Sequence, residues 1–332
     1  MTEVKDELAG QPTTARRWVR RSLRWLEERI SQTAGVIKRT TVRRLLKKHK
    51  IGLVSNRKSL SGPPHPDRDK QFRYIKRVQK LFLKSGRPVI SVDAKNKEMI
   101  GAFYNKGRTW RKEAIEVNAH DFRQDALAVA IPYGIYDLTH NLGSVYVSTS
   151  YNTSEFAVEA IRSWWNDPQR PHFEREDSLL VLCDAGGSNN CRFWLWKYEL
   201  QCLADELGIS IMICHYPTGA SKYNPIEYRL FSQISINWAG QPLTSLQAML
   251  SFIQETTTKT GLAVKAFLLD NLFHKGRKIS DEQRNAINLS RRSICPIWNY
   301  TISPSSSPHL SLIHISEPTR RTPISYAVFC LK

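Results

Sequence analysis

Apolar and polar positions along the first third of the chain follow a helical period. Residues 16–30 place tryptophan, leucine and isoleucine near one helical face and arginine on the other. Residues 41–50 repeat this pattern, with Thr40 or Thr41 in position to cap the helix. Two short helices, the second of them basic, fit a helix-turn-helix. The proline-rich residues 61–69 predict a linker, which an amphipathic helix follows.

From residue 88 the pattern changes to short apolar, β-branched runs that alternate with helical segments. The order is strand, insertion, strand, strand, helix, strand, helix, strand, helix, which predicts an α/β fold with a mixed sheet flanked by helices. The predicted strands occupy residues 88–95, 131–138, 143–150, 178–184 and 209–217. The predicted helices occupy residues 153–165, 192–208 and 224–238, the last with Asn224 as its cap and Pro225 at its first position.

Charge is distributed unevenly between these two regions. Residues 1–90 hold 24 Lys and Arg against 7 Asp and Glu, whereas residues 91–332 hold 25 against 23. A positive arm beside a nearly neutral body is typical of a protein that binds nucleic acid, and a basic tail without specificity is the alternative. The cations predicted to face DNA phosphates or base edges are Arg39, Arg43, Arg44, Lys47 and Lys48.

Targeting and metal-binding signals are weak elsewhere. The charged N-terminus has no apolar signal core and no run of eighteen apolar residues exists, so we expect a cytoplasmic, nucleoid-associated protein that does not enter a membrane. The six cysteines include no CxxC pair and no zinc spacing, which predicts reduced thiols packed in the core.

Three acidic residues stand where a sheet could bring them together. Asp93 and Asp184 each end an apolar run, and Glu227 lies in the first turn of the helix after the last predicted strand. Strand ends form binding crevices in open α/β sheets, and carboxylates suit a pair of Mg²⁺ ions. Spacing alone does not single out this trio, because other acids compete as simpler caps, turns or surface charges: Glu98, Asp137, Glu155 and Asp177.

A resemblance to a known family strengthens this choice. Residues 89–98 (VISVDAKNKE), 179–190 (LLVLCDAGGSNN) and 215–238, with their NPIE core, are similar to the three signature blocks of the Rhodopirellula-type DDE insertion-sequence transposases, the ISAzo group. That group is related to the mariner-like superfamily. The similarity extends over nearly the whole chain. It implies a ribonuclease-H-like fold in which Asp93, Asp184 and Glu227 are both the catalytic residues and the metal ligands.

The function that this resemblance implies is DNA transposition. Asp93 would bridge two Mg²⁺ ions, with Mn²⁺ as an alternative, while Asp184 and Glu227 each hold one. Water would cut a transposon end and the freed 3′-hydroxyl would attack target DNA, so the partner is double-stranded DNA and the protein acts as a homo-oligomer on it. Lys222 is placed to touch a phosphate or is a plain surface lysine, and His215 is a structural residue or orients water or DNA.

These patterns predict a domain order and leave alternative functions open. We expect a basic helix-turn-helix arm at residues 1–60, a linker and connecting helix at 61–87, and the catalytic domain at 88–304. Residues 305–332 have no family counterpart and resemble a translated sequencing adapter, so we interpret them as a non-native tail. The alternatives to a transposase are a ribonuclease-H-like nuclease or resolvase, and a decayed DNA-binding protein without activity.

Overall fold

Two compact units make up the chain, Met1–Gly62 and Pro63–Lys332. The computed structural model describes residues 9–10, 17–18, 21–49, 51–53 and 65–305. The segment interpreted as a non-native tail lies outside the described residues from position 306 onwards. In the part of the chain that is described, no helix combines the length and apolar character needed to cross a bilayer.

The described residues of the first unit form one pair of two-residue strands and two helices. Strands β1 (Ala9–Gly10) and β2 (Arg17–Trp18) pair antiparallel. Helix α1 (Leu23–Ala34) begins later than predicted, because the Ser22 hydroxyl accepts the Trp25 N–H at 3.1 Å and so caps the helix there.

Helix α2 (Arg39–Lys48) corrects a second prediction about the arm. Lys38 occupies the N-cap position without a side-chain cap, and both candidate threonines lie inside the first turn because the Val42 N–H already reaches the Lys38 carbonyl at 3.1 Å. Val42 is buried as predicted, whereas Leu45 is 42% exposed, contrary to its predicted place on the buried side. Two helices are therefore present and the second is basic, but the predicted cap of the second helix is wrong.

The second unit is built on one mixed sheet. Within the described residues it has nine strands, in chain order β3 (Val89–Ala94), β4 (Glu98–Ile100), β5 (Ala128–Asp137), β6 (Leu142–Ser148), β7 (Ser178–Cys183), β8 (Ser210–His215), β9 (Ala263–Leu268), β10 (Leu289–Arg291) and β11 (Asn299–Ile302). Its helices are α3 (Arg68–Lys84), α4 (Ser154–Trp165), α5 (Trp194–Leu207), α6 (Ser232–Asn237), α7 (Leu246–Gln254) and α8 (Asp281–Asn285).

The strand order across the sheet is β10-β11-β8-β7-β3-β5-β6-β9, and β4 pairs with β5 away from this path. Strands β3, β5 and β6 form an antiparallel meander, and β7 and β8 join β3 in parallel through the crossover helices α4 and α5. In the ribonuclease-H-like arrangement, three antiparallel strands are followed by two parallel strands that are added next to the first strand. The sheet has this arrangement, so the predicted fold is confirmed. Strands β4 and β9 to β11 and helices α7 and α8 were not predicted.

Side-chain alternation along the strands divides the core between the two faces of the sheet. On one face, α4 and α5 pack on Ile90, Val92 and their neighbours. On the other, α3 packs on Val89, Leu180 and Met212, and the helical segment around residues 226–234 packs beside it on β5 and β6. This second face and the end of β3 carry the site.

Candidate active site

Asp93 and Asp184 lie side by side at one end of the sheet. Strands β3 and β7 run parallel with Val92 opposite Cys183, so the next residue of each chain segment is an aspartate. Neighbouring strands are about 4.8 Å apart, which leaves little distance between the two carboxylates. Burial and the charge of Asp184 raise the pKa of Asp93 to about 8, and burial raises the pKa of Asp184 to about 6. These raised pKa values mean that the surroundings disfavour the charged form of both carboxylates.

Glu227 is brought to this edge by hydrogen bonds between its helix and β3. The Ser91 hydroxyl donates to Asn224 Oδ1 at 2.6 Å and accepts the Ile226 N–H at 3.0 Å, while Asn224 Nδ2 donates to the Val92 carbonyl at 3.1 Å. Ser91 and Asn224 are both fully buried. The side chain of Asn224 thus does not cap its own helix as predicted, because β3 uses it and Ser91 supplies the cap instead.

The helix begins at Pro225, and the segment Glu227–Phe231 is a π-helix that continues into α6. π-Helical turns are rare and occur frequently at functional sites. Gly134 on β5 permits this close packing, since a Cβ there would stand 2.5 Å from Phe231 Cε1 and 2.8 Å from Ile226 Cδ1. Burial raises the pKa of Glu227, and the Lys95 ammonium opposes the rise. The charge of Glu227 in turn raises the pKa of both aspartates.

One observation supports the binding of divalent metal ions by these three carboxylates. Asp184 Oδ1 is buried and has no hydrogen-bond partner among the described residues, and the Ser188 hydroxyl nearby in sequence shares this condition. A buried, unpaired carboxylate oxygen is costly unless a cation satisfies it. Among the described residues no three His, Cys, Asp or Glu side chains form a ready set of ligands. Three like charges repel one another, so the carboxylates would have to draw closer around bound ions.

The competing acids are all satisfied by protein groups. Asp137 is buried and pairs with His140 at 2.7 Å while accepting the Thr139 N–H. The other three pair with neighbouring cations: Glu98 with Lys95, Glu155 with Arg277, and Asp177 with Arg87. These four acids therefore serve as turns and ion pairs, as their simpler interpretation predicted.

His215 belongs to a buried chain of hydrogen bonds behind Asp184. Trp196 Nε1 donates to the Tyr300 hydroxyl at 2.9 Å, and this hydroxyl meets His215 Nε2 at 2.9 Å. His215 Nδ1 lies 2.7 Å from the Asp184 carbonyl, which can only accept, so Nδ1 carries the proton. Burial lowers the pKa of His215 to about 4, and the ring is neutral. The structural interpretation of His215 is the one that these contacts favour.

Lys95 is the cation near the carboxylates that sequence reasoning missed. Its ammonium pairs with Glu98 at 2.5 Å, lies 4.6 Å from the centre of the Trp238 ring, and has only 11% of its side chain exposed. Alternation along β3 places residue 95 on the same side as residue 93, and this signal could have identified it. Lys222, which was predicted to touch phosphate, is exposed and lies over the Tyr223 ring at 5.1 Å.

The predicted DNA-binding cations of α2 are exposed in the first unit. Arg39 pairs with Glu27 of α1 at 3.1 Å, and this ion pair offsets its positive charge. The remaining four extend from α2 into solvent, namely Arg43, Arg44, Lys47 and Lys48.

Comparison with known proteins adds a family to this geometry. No curated protein matches the chain by sequence. Among solved structures, a Mos1 transposase paired-end complex with the left transposon end is 12% identical with a TM-score of 0.42, covering 74% of this chain and 72% of that one. A Mos1 mariner paired-end complex with Mn is 13% identical with a TM-score of 0.40, covering 76% and 74%. A family model described as the Rhodopirellula transposase DDE domain matches residues 2–304, and the chain therefore belongs to this family of DDE transposases.

Proposed function

We propose that this chain is a DNA transposase that binds transposon ends, cuts a phosphodiester bond there and joins the freed end to target DNA. The observation that carries the proposal is the proximity of Asp93, Asp184 and Glu227, whose charges act on one another, together with a buried Asp184 oxygen that no group in the described part of the chain satisfies. Membership of the DDE transposase family supports the same assignment.

In this proposal Asp93, Asp184 and Glu227 hold two divalent ions, Mg²⁺ or Mn²⁺. These ions supply Lewis acidity that activates the attacking oxygen and stabilises the leaving oxygen of an in-line phosphoryl displacement. The protein contributes position. Asp93 Oδ1 accepts the Ala94 N–H at 2.7 Å, which fixes the direction of the carboxylate, and the Ser91–Asn224 hydrogen bonds fix Glu227. No covalent protein nucleophile is needed.

Contacts to DNA would come from both units. The exposed cations of α2 suit phosphates and base edges, as expected of the second helix of a helix-turn-helix. Lys222 lies five residues before Glu227 and is exposed, so it is free to reach a phosphate beside the carboxylates. Joining two transposon ends in one reaction requires two such sites, and we propose that the protein acts as a homo-oligomer on DNA.

The decisive experiment uses the full chain and a donor DNA with the inverted repeats that flank the gene, with Mg²⁺, with Mn²⁺ and with chelator. We expect metal-dependent cleavage at the ends and products in which a 3′-hydroxyl has been joined to target DNA. Asp184→Asn should abolish both steps, whereas Glu206→Gln, which removes an exposed acid paired with Arg162, should leave them intact.

Two outcomes would contradict the proposal in different ways. Cleavage without any joined product would identify a nuclease or resolvase. Metal-independent binding without cleavage, unchanged in Asp184→Asn, would identify a DNA-binding protein that has lost its activity.

A further inference from the structure

Helix α3 carries a stripe of positive charge that the proposed catalysis does not use. Of its seventeen residues seven are Lys or Arg and one, Asp69, is acidic. Five of the cations follow one another at intervals of three and four residues, which places them along one side of the helix. All five are exposed: Lys70, Arg73, Arg77, Lys80 and Lys84. We call these five residues the α3 stripe.

The α3 stripe has no acidic partners among the described residues. Elsewhere in the same unit arginines are paired, for example Arg162 with Glu206 and Arg170 with Glu176. Within the stripe, Arg77 lies over the Tyr74 ring at 5.4 Å and Arg73 donates to the Asp69 carbonyl, which neutralises neither charge. Like charges one helical turn apart destabilise a helix. The stripe therefore presents a surface that a polyanion would stabilise.

A groove lies along the C-terminal half of the stripe. Its volume is about 910 Å³, and Arg77, Lys80 and Lys84 line it on the side of α3 while Arg292 lines it on the side of the sheet. The single carboxylate in its lining is Asp177, whose oxygens accept from Arg87 at 2.7 and 2.8 Å and from Arg175 at 3.2 Å. With that carboxylate neutralised, the groove carries four cations beside apolar side chains such as Val78 and Met212.

The direction of α3 connects this groove to the carboxylates. Near the start of the helix, Gln71 Nε2 donates to the His215 carbonyl at 2.8 Å, at the sheet end that holds Asp184. The groove is lined by Ser178 and Ser210, the first residues of β7 and β8, at the opposite end. From Lys70 to Lys84 the helix rises about 21 Å, a length over which one DNA strand presents about six phosphates.

We propose that the α3 stripe and its groove bind the phosphodiester backbone of double-stranded DNA that extends from the catalytic edge. This inference rests on the proposed function for the identity of the polyanion. Evenly spaced, exposed cations without base-reading amides suit backbone contact, which is independent of sequence. The stripe thus contributes affinity and holds the duplex along the sheet, while the first unit is left to recognise the transposon ends.

The test compares Lys80→Glu/Lys84→Glu with Lys259→Glu/Lys278→Glu in the full chain. The control variant makes the same change of charge at exposed positions elsewhere in the unit. Binding to a transposon-end duplex and to a random duplex is measured between 50 and 200 mM salt. Each lost phosphate contact lowers the slope of log K against log salt by about one. We expect the stripe variant to lose about two from this slope on both duplexes, and the control variant to retain the wild-type slope.

A milder variant, Lys80→Gln/Lys84→Gln, should show the same loss of slope, which separates lost contacts from a folding defect. A wild-type slope in both stripe variants, or an equal fall in the control variant, would overturn the inference. A loss confined to single-stranded RNA or to an acidic peptide would also overturn it. Cleavage is assayed separately on the wild-type protein. If the wild-type protein cleaves DNA but the stripe variants keep the wild-type salt slope, only the inference about the α3 stripe is rejected. If the salt slope falls in the stripe variants but the wild-type protein does not cleave, only the proposed function is rejected.

Discussion

Single carboxyl groups at the catalytic edge are held in an environment that opposes their ionisation. Asp93 is 8% exposed, and the pKa of both aspartates lies above the ordinary value of 3.8 because burial penalises the charged form. Bound cations reverse this penalty, since they neutralise the charge that burial disfavours. Asp184 Oδ1 has no hydrogen-bond partner among the described residues, so no hydrogen bond offsets the cost of burying it. Without metal, the burial of these charged carboxylates therefore lowers the stability of the folded protein.

This environment makes metal-free stability depend on pH. A folded pKa above the unfolded value means that stability is greatest at acidic pH and falls as pH rises through about 6 and about 8, the pKa values of Asp184 and Asp93. In chelator, we expect the melting temperature to fall by several degrees between pH 5 and pH 8, and Mg²⁺ to reduce this fall.

The matched variants for this melting experiment are Asp184→Asn and Asp177→Asn. The first should flatten the pH dependence. The second should leave it unchanged, because hydrogen bonding to Arg87 lowers the pKa of Asp177 to about 2, outside the range scanned. A melting temperature that rises with pH in chelator would contradict the burial of the two aspartates described above.

At the level of elements, two strands and one helix carry the three carboxylates, and buried polar groups join the helix to β3. Ser91 and Asn224 are 133 positions apart and fully buried, and their side chains link β3 to the start of the helix that bears Glu227. Buried polar contacts of this kind are costly to break, since each leaves an unsatisfied partner. They fix the position of Glu227 relative to Asp93 without touching DNA or metal themselves.

Asn224→Ala should therefore affect metal use as well as stability. Removing the amide takes away the acceptor of the Ser91 hydroxyl and one donor to the Val92 carbonyl, at about 1–3 kcal/mol for each buried group left unsatisfied. We expect a several-fold higher Mg²⁺ concentration for half-maximal cleavage. Gln201→Ala is the control: this buried amide bonds the Ser303 carbonyl away from the carboxylates, so it should lower stability without changing the Mg²⁺ requirement. Equal Mg²⁺ curves for both variants would leave Asn224 a purely structural residue.

Across the whole molecule, charge and chemistry are assigned to different units. The first unit has a large excess of Lys and Arg, whereas the part of the second unit after residue 90 is nearly neutral and holds the carboxylates. The proposed function accordingly assigns recognition of transposon ends to the first unit and metal binding to the carboxylates of the second. Affinity for DNA and the rate of cleavage should consequently respond to different substitutions.

Arg43→Ala/Lys47→Ala on α2 tests this separation. We expect weaker binding and a reduced preference for transposon ends over random duplex, but an unchanged cleavage rate when DNA is saturating. Arg24→Ala/Arg29→Ala on α1 removes the same charge from the same unit and should weaken binding without reducing the preference, as expected of the first helix of a helix-turn-helix. A fall in the saturated cleavage rate with normal affinity would instead assign α2 to the chemistry.

The sequence by itself determined the features that are encoded within a few neighbouring residues. Alternation and apolar runs located β3, β5, β6, β7 and β8. The predicted helix at residues 153–165 begins correctly, because the Thr153 hydroxyl that caps α4 needs only the Phe156 N–H three residues away. The same local patterns put Asp93 and Asp184 at strand ends. The local signals were weaker in the arm, because many basic residues share one helical pattern there and no acidic residue marks the start of α2.

Only the tertiary structure decided which distant residues meet. The Ser91–Asn224 contact and the groove between α3 and Arg292 depend on how the sheet is ordered. So does the pairing of β11 with β8, by which Tyr300 reaches His215. Local periodicity states which face of an element is buried, but not which element covers it. That choice is made by the packing of the whole chain, and it brought three acids that are distant in sequence to one edge of the sheet.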